Sequence, residues 1–318
     1  MVVTDLHGDW PAYCRYRDRF IDLQGQGQAD CLIFTGDLIH SDRLGKADKS
    51  VEIILDLLAL QAQFGPAIIY LSGNHELPHL YGISLSKGDH LYTPGFEAAL
   101  NDCGRRAEVM ALFDSLPFYL RSRAGVSLTH AGACAILSHP NRAHQLFNWS
   151  HRALWSYLDE LVPPTERASM RRGYEKLGDV SYEELAKEHL AVTGPDDPRY
   201  DDLLKGYIIG MLPQFNEVLW PALFTRCEQE YGLSDYRIFL EAMLQDLSLD
   251  FVPQQWLVAG HMTIGGGHQL IAERHLRLAS AHHATPTEAG QYLLFDAGQS
   301  IKQMEHLTAG LGSVYRTN

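Results

Sequence analysis

Five short polar segments recur along this chain, and each places a histidine, an aspartate or an asparagine beside a glycine. They are residues 5–8 (DLHG), 36–37 (GD), 73–76 (GNHE), 129–132 (THAG) and 260–261 (GH). Four of the five follow an apolar run typical of a β-strand. Because an α/β fold gathers its ligands at the carboxyl ends of its strands, the five segments predict a site built from strand ends.

The order of the predicted elements supports the α/β class. Residues 31–35 and 67–72 are apolar runs typical of buried strands, whereas residues 9–24 and 50–63 carry apolar side chains at helical spacing. With a short apolar stub before Asp5, the first third of the chain reads β-α-β-α-β. This order implies parallel strands joined by right-handed crossovers.

The middle of the chain differs in composition from its two ends. Between residues 140 and 250, charged and aromatic residues follow helical spacing, and runs of β-branched residues are almost absent. Strand-like runs resume near residue 255. We therefore expect a catalytic core formed by residues 1–139 and 251–318, with residues 140–250 as a helical insertion or cap.

Composition narrows the classes of partner. The 318 residues carry a formal net charge of −13, which argues against nucleic acid, because binding its backbone relies on basic patches. An uncharged apolar run long enough for a transmembrane helix is absent from the sequence, so no membrane partner is expected. The five cysteines include no CxxC pair, and the N-terminus lacks a basic region with a cleavage site. These features favour a reduced, cytoplasmic protein.

The residue types in the first three segments suit a pair of cations. Asp5 and His7 are spaced i, i+2, so both side chains can leave a strand end on one face and reach one ion. Asp37 has two carboxylate oxygens and can bridge two cations, and Asn74 offers a neutral carbonyl oxygen. We therefore expect two metal ions with a shared carboxylate.

The later segments add imidazole ligands, His130 and His261. Mixed carboxylate and imidazole ligands favour Mn, with Fe or Zn as alternatives, over Ca or Mg. A water molecule held between two such cations loses a proton near neutral pH, and the hydroxide attacks phosphorus in line. His75, beside Asn74, is the candidate to protonate the leaving alkoxide or to orient the nucleophile, and a nearby carboxylate would keep it protonated.

The five segments resemble the motifs of the calcineurin-like metallophosphoesterase superfamily, and within it the phosphoprotein-phosphatase branch. D-x-H-G matches residues 5–8, G-D residues 36–37, G-N-H-E residues 73–76, H-G-G residues 130–132, and G-H residues 260–261. The resemblance implies a four-layer α/β/β/α sandwich with metals at the strand ends. It also implies a first metal on Asp5, His7 and Asp37, a second on Asp37, Asn74, His130 and His261, and His75 as general acid.

The sequence departs from that branch after the second motif. The branch usually has G-D-x-x-D-R-G, in which the second Asp partners the catalytic His and the Arg grips phosphate. Here His40 stands at the position of that Asp, and Asp42 and Arg43 follow two residues late. Either the loop delivers the same groups with a shift, or His40 has another role. Arg43 is the candidate for phosphate contact.

Two further positions bear on substrate and metal binding. The branch's second phosphate-binding arginine has no clear counterpart, since the sequence does not place Arg226 or Arg237 relative to the site. The pair His282 and His283 stays outside the expected ligand set. Thr263 occupies the slot where phosphodiesterase branches often carry a second His, which favours the phosphatase side.

We therefore expect a metal-dependent phosphoric ester hydrolase that acts on phosphomonoesters of a small molecule or a phosphoprotein, with serine/threonine phosphoproteins as one substrate class. Two alternatives remain open. One is a hydrolase of dinucleoside polyphosphates, other nucleotide phosphoanhydrides or phosphodiesters, because the scaffold supports both chemistries. The other is a non-catalytic, metal-binding scaffold whose helical insertion recruits a partner. The complete ligand set and the presence of His75 count against the scaffold.

Overall fold

Two five-stranded sheets form the centre of the computed structural model, which describes residues 1–41, 47–176 and 180–315. The first sheet has the order β14-β13-β1-β2-β3 and the second β10-β11-β8-β7-β6. Strands β4 and β5, and strands β9 and β12, form two small pairs. The strands are β1 (Val2–Val3), β2 (Leu32–Phe34), β3 (Ile68–Tyr70), β4 (Ser86–Lys87), β5 (His90–Leu91), β6 (Tyr119–Arg121), β7 (Val126–Thr129), β8 (Trp256–Ala259), β9 (Ile264–Gly265), β10 (His268–Ile271), β11 (His275–Leu278), β12 (Ala284–Thr285), β13 (Tyr292–Leu293) and β14 (Leu311–Gly312).

Helices connect and cover these strands. They are α1 (Trp10–Gly25), α2 (Ser50–Phe64), α3 (Leu77–Tyr81), α4 (Thr93–Asp102), α5 (Arg106–Ser115), α6 (Arg142–Phe147), α7 (His151–Leu161), α8 (Arg167–Glu175), α9 (Tyr182–Leu190), α10 (Asp202–Ile209), α11 (Trp220–Phe224), α12 (Glu228–Leu247) and α13 (Met304–Thr308). A π-helical segment (Gln214–Leu219) precedes α11, and short 3₁₀ turns lie at Gly65–Ala67, Ala135–Ser138 and Thr287–Ala289. Among the described residues, none of the helices combines the length and apolar character that crossing a bilayer requires.

The first sheet contains the predicted β-α-β-α-β unit. Strands β1, β2 and β3 pair in parallel, with Val2 opposite Ile33 and Ile33 opposite Ile69. Helices α1 and α2 make the two crossovers, close to the predicted helices. Helix α1 begins where Asp9 accepts a hydrogen bond from the Ala12 backbone N–H, 3.1 Å away, which satisfies one of the unpaired donors at a helix start.

The two sheets pack face to face around an apolar layer. Val2 and Ile33 of the first sheet and Leu128, Val258 and Leu276 of the second belong to one buried cluster. Because alternate side chains of a strand point to opposite faces, the neighbours of these residues point outward, toward helices.

Helices cover the two outer faces. On the first sheet, the ring of Phe34 stacks at 5.9 Å on Tyr13 of α1. On the second sheet, Tyr236 of α12 places its hydroxyl 2.6 Å from His275 Nδ1 of β11. The layers therefore follow the order α/β/β/α, which confirms the expected fold class.

The segment between residues 140 and 250 is helical in its described parts, 140–176 and 180–250. Tyr182, Leu190, Tyr200 and Leu203 form part of a small core within this segment. Its helix α12 also covers the second sheet, so the segment contributes to the sandwich. The division into a core and an insertion at the expected boundaries stays a prediction.

The fold brings the expected ligands to strand ends. Asp5 and His7 follow β1, Asp37 follows β2, Asn74 follows β3, His130 follows β7 and His261 follows β8, each within one to four residues of the end of the strand. The five cysteines are free thiols, and a cytoplasmic location stays a prediction.

Helix α1 offers a matched test of the outer layer. Phe20 is fully buried under the first sheet, whereas its neighbour Ile21 is 39% exposed. We expect Phe20→Ala to lower the free energy of unfolding by about 3–5 kcal/mol, because it leaves a cavity, and Ile21→Ala to lower it by less than ~1 kcal/mol. Urea denaturation followed by circular dichroism measures both. Equal losses would contradict this packing.

Candidate metal centre

Five residues of the candidate site adopt left-handed backbone conformations that glycine normally occupies. They are Asp5 (φ 34°), His7 (φ 45°), Asp37 (φ 51°), His40 (φ 68°) and His261 (φ 71°). Such torsion angles are uncommon for non-glycine residues, and they gather at functional sites where surrounding contacts enforce them. Here the backbone N–H groups of Leu6 and His7 both donate to the Asp37 carbonyl at 3.0 Å, which locks two of the loops together.

Glycines beside the ligands allow the carboxylates to lie against the backbone. A Cβ at Gly260 would overlap the Asp5 carboxylate, and a Cβ at Gly73 would overlap that of Asp37. Both positions therefore require glycine, because the carboxylates approach the backbone too closely for any side chain.

One group of possible ligands contains His7, Asp37 and His75. Asp37 Oδ2 lies 3.7 Å from His7 Nε2 and 3.9 Å from His75 Nε2. His7 Nδ1 donates to the His40 carbonyl at 3.2 Å, so Nε2 of the neutral ring carries a lone pair. That buried nitrogen has no hydrogen-bond partner among the described residues. An imidazole held by a backbone carbonyl with its other nitrogen unsatisfied fits a metal ligand.

A second group contains Asp37, His130 and His261, with Asn74 beside them. His130 Nδ1 lies 3.0 Å from the Thr35 carbonyl, to which it donates, so Nε2 faces the group. That Nε2 lies 3.3 Å from Asp37 Oδ2, 2.8 Å from Asn74 Oδ1 and 3.0 Å from His261 Nδ1. Several lone pairs converge on one point, which suits a cation.

The electrostatics of these groups match their use as ligands. Burial and the neighbouring His282 hold the pKa of His7 well below its usual value, and burial and His130 do the same to the pKa of His261. Burial raises the pKa of Asp37, but nearby histidines outweigh it and hold that pKa well below its usual value. Asp37 is thus ionised and two of the imidazoles are neutral, the forms that bind cations.

His130 differs from these two histidines. Burial lowers its pKa, but the Asp37 and Asp5 carboxylates outweigh burial and raise the pKa to about 9. The same concentration of negative charge attracts a cation, which competes with the proton for the lone pair on Nε2.

The expectation that His75 is kept protonated is wrong for the structure as it stands. The sequence led us to expect a nearby carboxylate to keep this ring protonated. Asp37 does raise the pKa of His75, but burial is the larger effect and lowers that pKa to about 4. His75 Nδ1 contacts His40 Nδ1 at 3.0 Å, so the neighbour at the expected aspartate position is an imidazole.

Asp5 lies at the centre but outside the three groups of possible ligands found among the described residues. Its two carboxylate oxygens each accept from the His261 backbone N–H at 3.0 Å. Its Oδ1 also lies 3.3 Å from His283 Nδ1. The role of Asp5 as a direct ligand stays a prediction.

His282 and His283 were missed as possible ligands. Together with His7 they form the third group, with ring centroids 4.2 Å (His282) and 5.1 Å (His283) from the His7 ring. The signal that could have found them is their position shortly after a buried strand, β11, which resembles the placement of the other ligands.

Glu76 orients the loops around Asp37. Its carboxylate accepts from the backbone N–H groups of Asp37 and Leu38, both at 3.1 Å, and of Gly73 at 2.9 Å. Burial and the charge of Asp37 raise the pKa of Glu76 to about 7. One side chain thus fixes two ligand loops.

The possible ligands line a pocket of about 500 Å³. Its lining includes His7, Asp37, Asn74, His75, His261, His282 and His283 and, around them, Lys87, Tyr92, Phe224, Arg226 and Thr263. The structure thus places Arg226 at the pocket, whereas Arg237 pairs with Glu273 elsewhere on the surface. Arg43, the expected phosphate contact, lies outside the described residues.

Comparison with known families gives the class of this protein. Residues 1–190 match the calcineurin-like phosphoesterase family. The match spans more than half of the 318 residues, so the chain belongs to the calcineurin-like phosphoesterase family. It is therefore a metal-dependent phosphoric ester hydrolase, of a family that uses a divalent metal pair.

Two solved structures are similar in fold. One is a protein serine/threonine phosphatase from Saccharomyces cerevisiae with similarity to human phosphatase PP5; it is 14% identical, with TM-score 0.47, over 98% of this chain and 76% of that chain. The other is a cold-active protein-tyrosine phosphatase of a psychrophile, Shewanella sp.; it is 13% identical, with TM-score 0.47, over 93% of this chain and 75% of that chain. No curated protein matches the sequence. At this level of similarity the substrates of those enzymes are not transferred to this chain.

The position of Asp37 between two ligand groups gives a prediction on metal content. We expect Asp37→Asn to lower the occupancy of both metal positions, because the amide loses the charge and one of the two acceptor oxygens. Elemental analysis of protein dialysed against Mn²⁺ measures the occupancy. Asp18→Asn, an exposed carboxylate in α1, is the matched control. Two full equivalents in Asp37→Asn would contradict a shared carboxylate.

Proposed function

We propose that this chain is a dinuclear metal-dependent phosphatase that hydrolyses phosphomonoesters, on the phosphoprotein-phosphatase branch of its family. The observation that carries the proposal is the position of Asp37. Its Oδ2 lies 3.3 Å from His130 Nε2 and 3.7 Å from His7 Nε2, between two groups of possible ligands. One carboxylate in this position allows two cations to share a ligand.

The proposed ligand sets are those expected from the sequence motifs. Asp5, His7 and Asp37 would hold the first metal, and Asp37, Asn74, His130 and His261 would hold the second. Mn suits these mixed ligands, with Fe or Zn as alternatives. When bound, the pair of cations supplies an activated water molecule and compensates the charge that develops on the phosphoryl oxygens.

His75 is the proposed general acid. It lines the pocket, and its Nε2 lies 3.9 Å from Asp37 Oδ2, next to the proposed metal positions. From there the ring can pass a proton from Nε2 to the leaving alkoxide oxygen. A phosphate dianion beside the ring favours its protonated form by Coulomb attraction, which opposes the effect of burial.

The charge of the pocket wall favours a monoester over a diester. Arg226 and Lys87 both line the pocket, outside the proposed ligand sets. A monoester carries more negative charge than a diester, so it gains more from two additional cationic side chains. Arg43 stays the proposed second phosphate contact. The substrate is then a phosphorylated small molecule or a phosphoprotein.

A panel of esters tests the reaction class. With Mn²⁺ present, we expect para-nitrophenyl phosphate to be hydrolysed at least about tenfold faster, in kcat/KM, than its bis-ester, because the extra charge is worth ~1.4 kcal/mol or more. Release of nitrophenolate measures both reactions, and release of phosphate from a serine phosphopeptide tests the hypothesis of a protein phosphatase. Preference for the diester would contradict the proposal. Absence of turnover with two bound metals would favour the non-catalytic scaffold.

A second candidate function has one observation in its favour. Phe224, which lines the pocket, is 40% exposed. Exposed aromatic rings can stack on a nucleobase. This wall suits a dinucleoside polyphosphate, and a kcat/KM for diadenosine tetraphosphate above that for every monoester would replace the first proposal.

Arg226 and Arg237 form a matched pair for the phosphate contact. We expect Arg226→Ala to lower kcat/KM for para-nitrophenyl phosphate by about 10- to 100-fold, the loss typical of a charged hydrogen bond to phosphate. Arg237→Ala, which removes an arginine paired at 3.3 Å with Glu273, should change it by less than about twofold. Steady-state kinetics measures both variants. Equal kinetics for the two would remove Arg226 from the substrate site.

A further inference from the structure

A row of hydrogen-bonded side chains runs from the pocket into the core. His75 Nδ1 lies 3.0 Å from His40 Nδ1, His40 Nε2 lies 2.8 Å from His79 Nε2, and His79 Nδ1 lies 2.6 Å from Glu97 Oε1. We refer to these four residues as the histidine row. It joins the loops after β2 and β3 to helices α3 and α4.

The row is shielded from water. His40, His79 and Glu97 are 1%, 6% and 2% exposed. The rings of Tyr92 and Phe96 lie within 5.7 Å of the His40 ring. In such surroundings an imidazole that faces two partners must satisfy both, so each neutral ring donates from one nitrogen and accepts at the other.

Glu97 sets the direction of these hydrogen bonds. Arg106 and Arg199 both donate to its Oε2, the latter at 3.1 Å. Burial alone would raise the pKa of Glu97, but His79 and Arg106 outweigh burial and lower that pKa to about 2. The ionised carboxylate can only accept, so His79 donates to it from Nδ1.

The remaining directions follow from that first bond. Arg106 and Arg199 already face the one carboxylate, so a cationic His79 would add a buried charge with no partner. In the neutral ring Nδ1 carries the proton and Nε2 accepts, so His40 donates to it from Nε2. His40 therefore accepts at Nδ1, and the donor there is His75 Nδ1. The proton position on His75 is thus linked to a carboxylate two imidazoles away.

We propose that Glu97 is a positioning residue that, through His79 and His40, fixes His75 as the tautomer protonated on Nδ1 and presents Nε2 to the pocket. The catalytic consequence rests on the proposed function, in which His75 protonates the leaving alkoxide. With the Nδ1 proton held by His40, a second proton taken up at Nε2 gives the imidazolium, and that Nε2 proton passes to the alkoxide oxygen. The sequence left open whether a shifted loop or another role for His40 replaces the expected aspartate. In this proposal the carboxylate comes from α4, and His40 and His79 connect it to the pocket.

Glu97→Gln reverses the direction of the hydrogen bonds in the histidine row without breaking them. The glutamine amide has one accepting oxygen and one donating nitrogen, and the two arginines require the oxygen. The nitrogen therefore faces His79, which must accept at Nδ1 and donate from Nε2. The same reversal passes through His40 and leaves His75 protonated on Nε2 instead of Nδ1. Because His40 then donates to Nδ1, that nitrogen has no room for a proton, and release of the Nε2 proton would leave an imidazolate, so the ring is a much weaker acid.

Nitrogen-15 NMR of histidine-labelled protein tests the tautomer directly. The protein is loaded with Zn²⁺, which is diamagnetic, and the His75 signals are assigned by their loss in His75→Gln. We expect the Nδ1–H form in the wild type and the Nε2–H form in Glu97→Gln. The same tautomer in both proteins would overturn the proposal, whatever the activity. This readout does not depend on the substrate, so it separates the proposal from a failure of the proposed function.

Leaving-group dependence tests the consequence for catalysis. Nitrophenolate leaves without a proton, whereas an alkoxide needs one. We expect Glu97→Gln to lower kcat for an alkyl phosphate by about 10²-fold or more, as misplacement of a catalytic imidazole's proton does in other hydrolases, and kcat for para-nitrophenyl phosphate by less than about tenfold. KM and metal content should stay within about twofold of the wild type. Equal losses for both esters, with normal metal content, would contradict the catalytic role.

Two further variants keep the test decisive if Glu97→Gln does not fold. His79→Phe interrupts the row among aromatic neighbours and leaves the arginine pairs of Glu97 in place, and it should shift His75 away from a single Nδ1–H form. His151→Phe, which removes a buried imidazole 2.5 Å from the Tyr81 hydroxyl, is its control and should leave the His75 spectrum unchanged. Identical spectra for these two variants would reject the proposal.

A rescue experiment completes the design. Asp Oδ1 and His Nδ1 are each two bonds from Cβ, so His40→Asp places a carboxylate directly beside His75. Combined with Glu97→Gln, it should return His75 to the Nδ1–H tautomer and raise kcat for the alkyl phosphate toward the wild-type value. A folded double variant that still has the Nε2–H form would count against direct control of His75 by a carboxylate.

Discussion

The buried charge of Asp37 is the interaction on which the rest of this structure depends. A carboxylate held in the interior costs several kcal/mol unless it is paired. Asp37 accepts a hydrogen bond from the backbone N–H of His75 at 3.0 Å. It also faces the imidazoles of His7, which follows β1 of the first sheet, and His130, which follows β7 of the second. The chain must therefore bring distant loops together around one negative charge, and this is also what a pair of cations requires.

The sequence predicted the parts of this arrangement that are local. Each motif consists of a strand, a glycine and a polar side chain, and all three are visible within a few residues. The parallel β-α-β unit followed from apolar runs of the length seen in buried strands. Because parallel strands of one sheet end at one edge, the convergence of Asp37 and Asn74 followed from the strand pattern, whereas His130, which follows β7 of the second sheet, was predicted from its motif.

The parts that the sequence did not reveal depend on contacts between distant residues. Glu97 lies on helix α4, 18 residues after His79, and no motif marks a helical glutamate as the partner of a histidine on the short helix α3. Arg226 reaches the pocket from a segment whose placement depends on helix packing. His282 and His283 follow a strand whose neighbours are set by sheet order, which periodicity alone does not specify.

The left-handed torsion angles at Asp5, His7, Asp37, His40 and His261 have a consequence for how the centre receives its ions. Unfavourable conformations imposed during folding leave little disorder to lose when a cation arrives, so the loops act as a rigid template. A template of fixed dimensions discriminates among ions by radius and preferred bond length. We therefore expect the fixed positions of these loops, and not the ligand types alone, to set which metal ion the centre prefers.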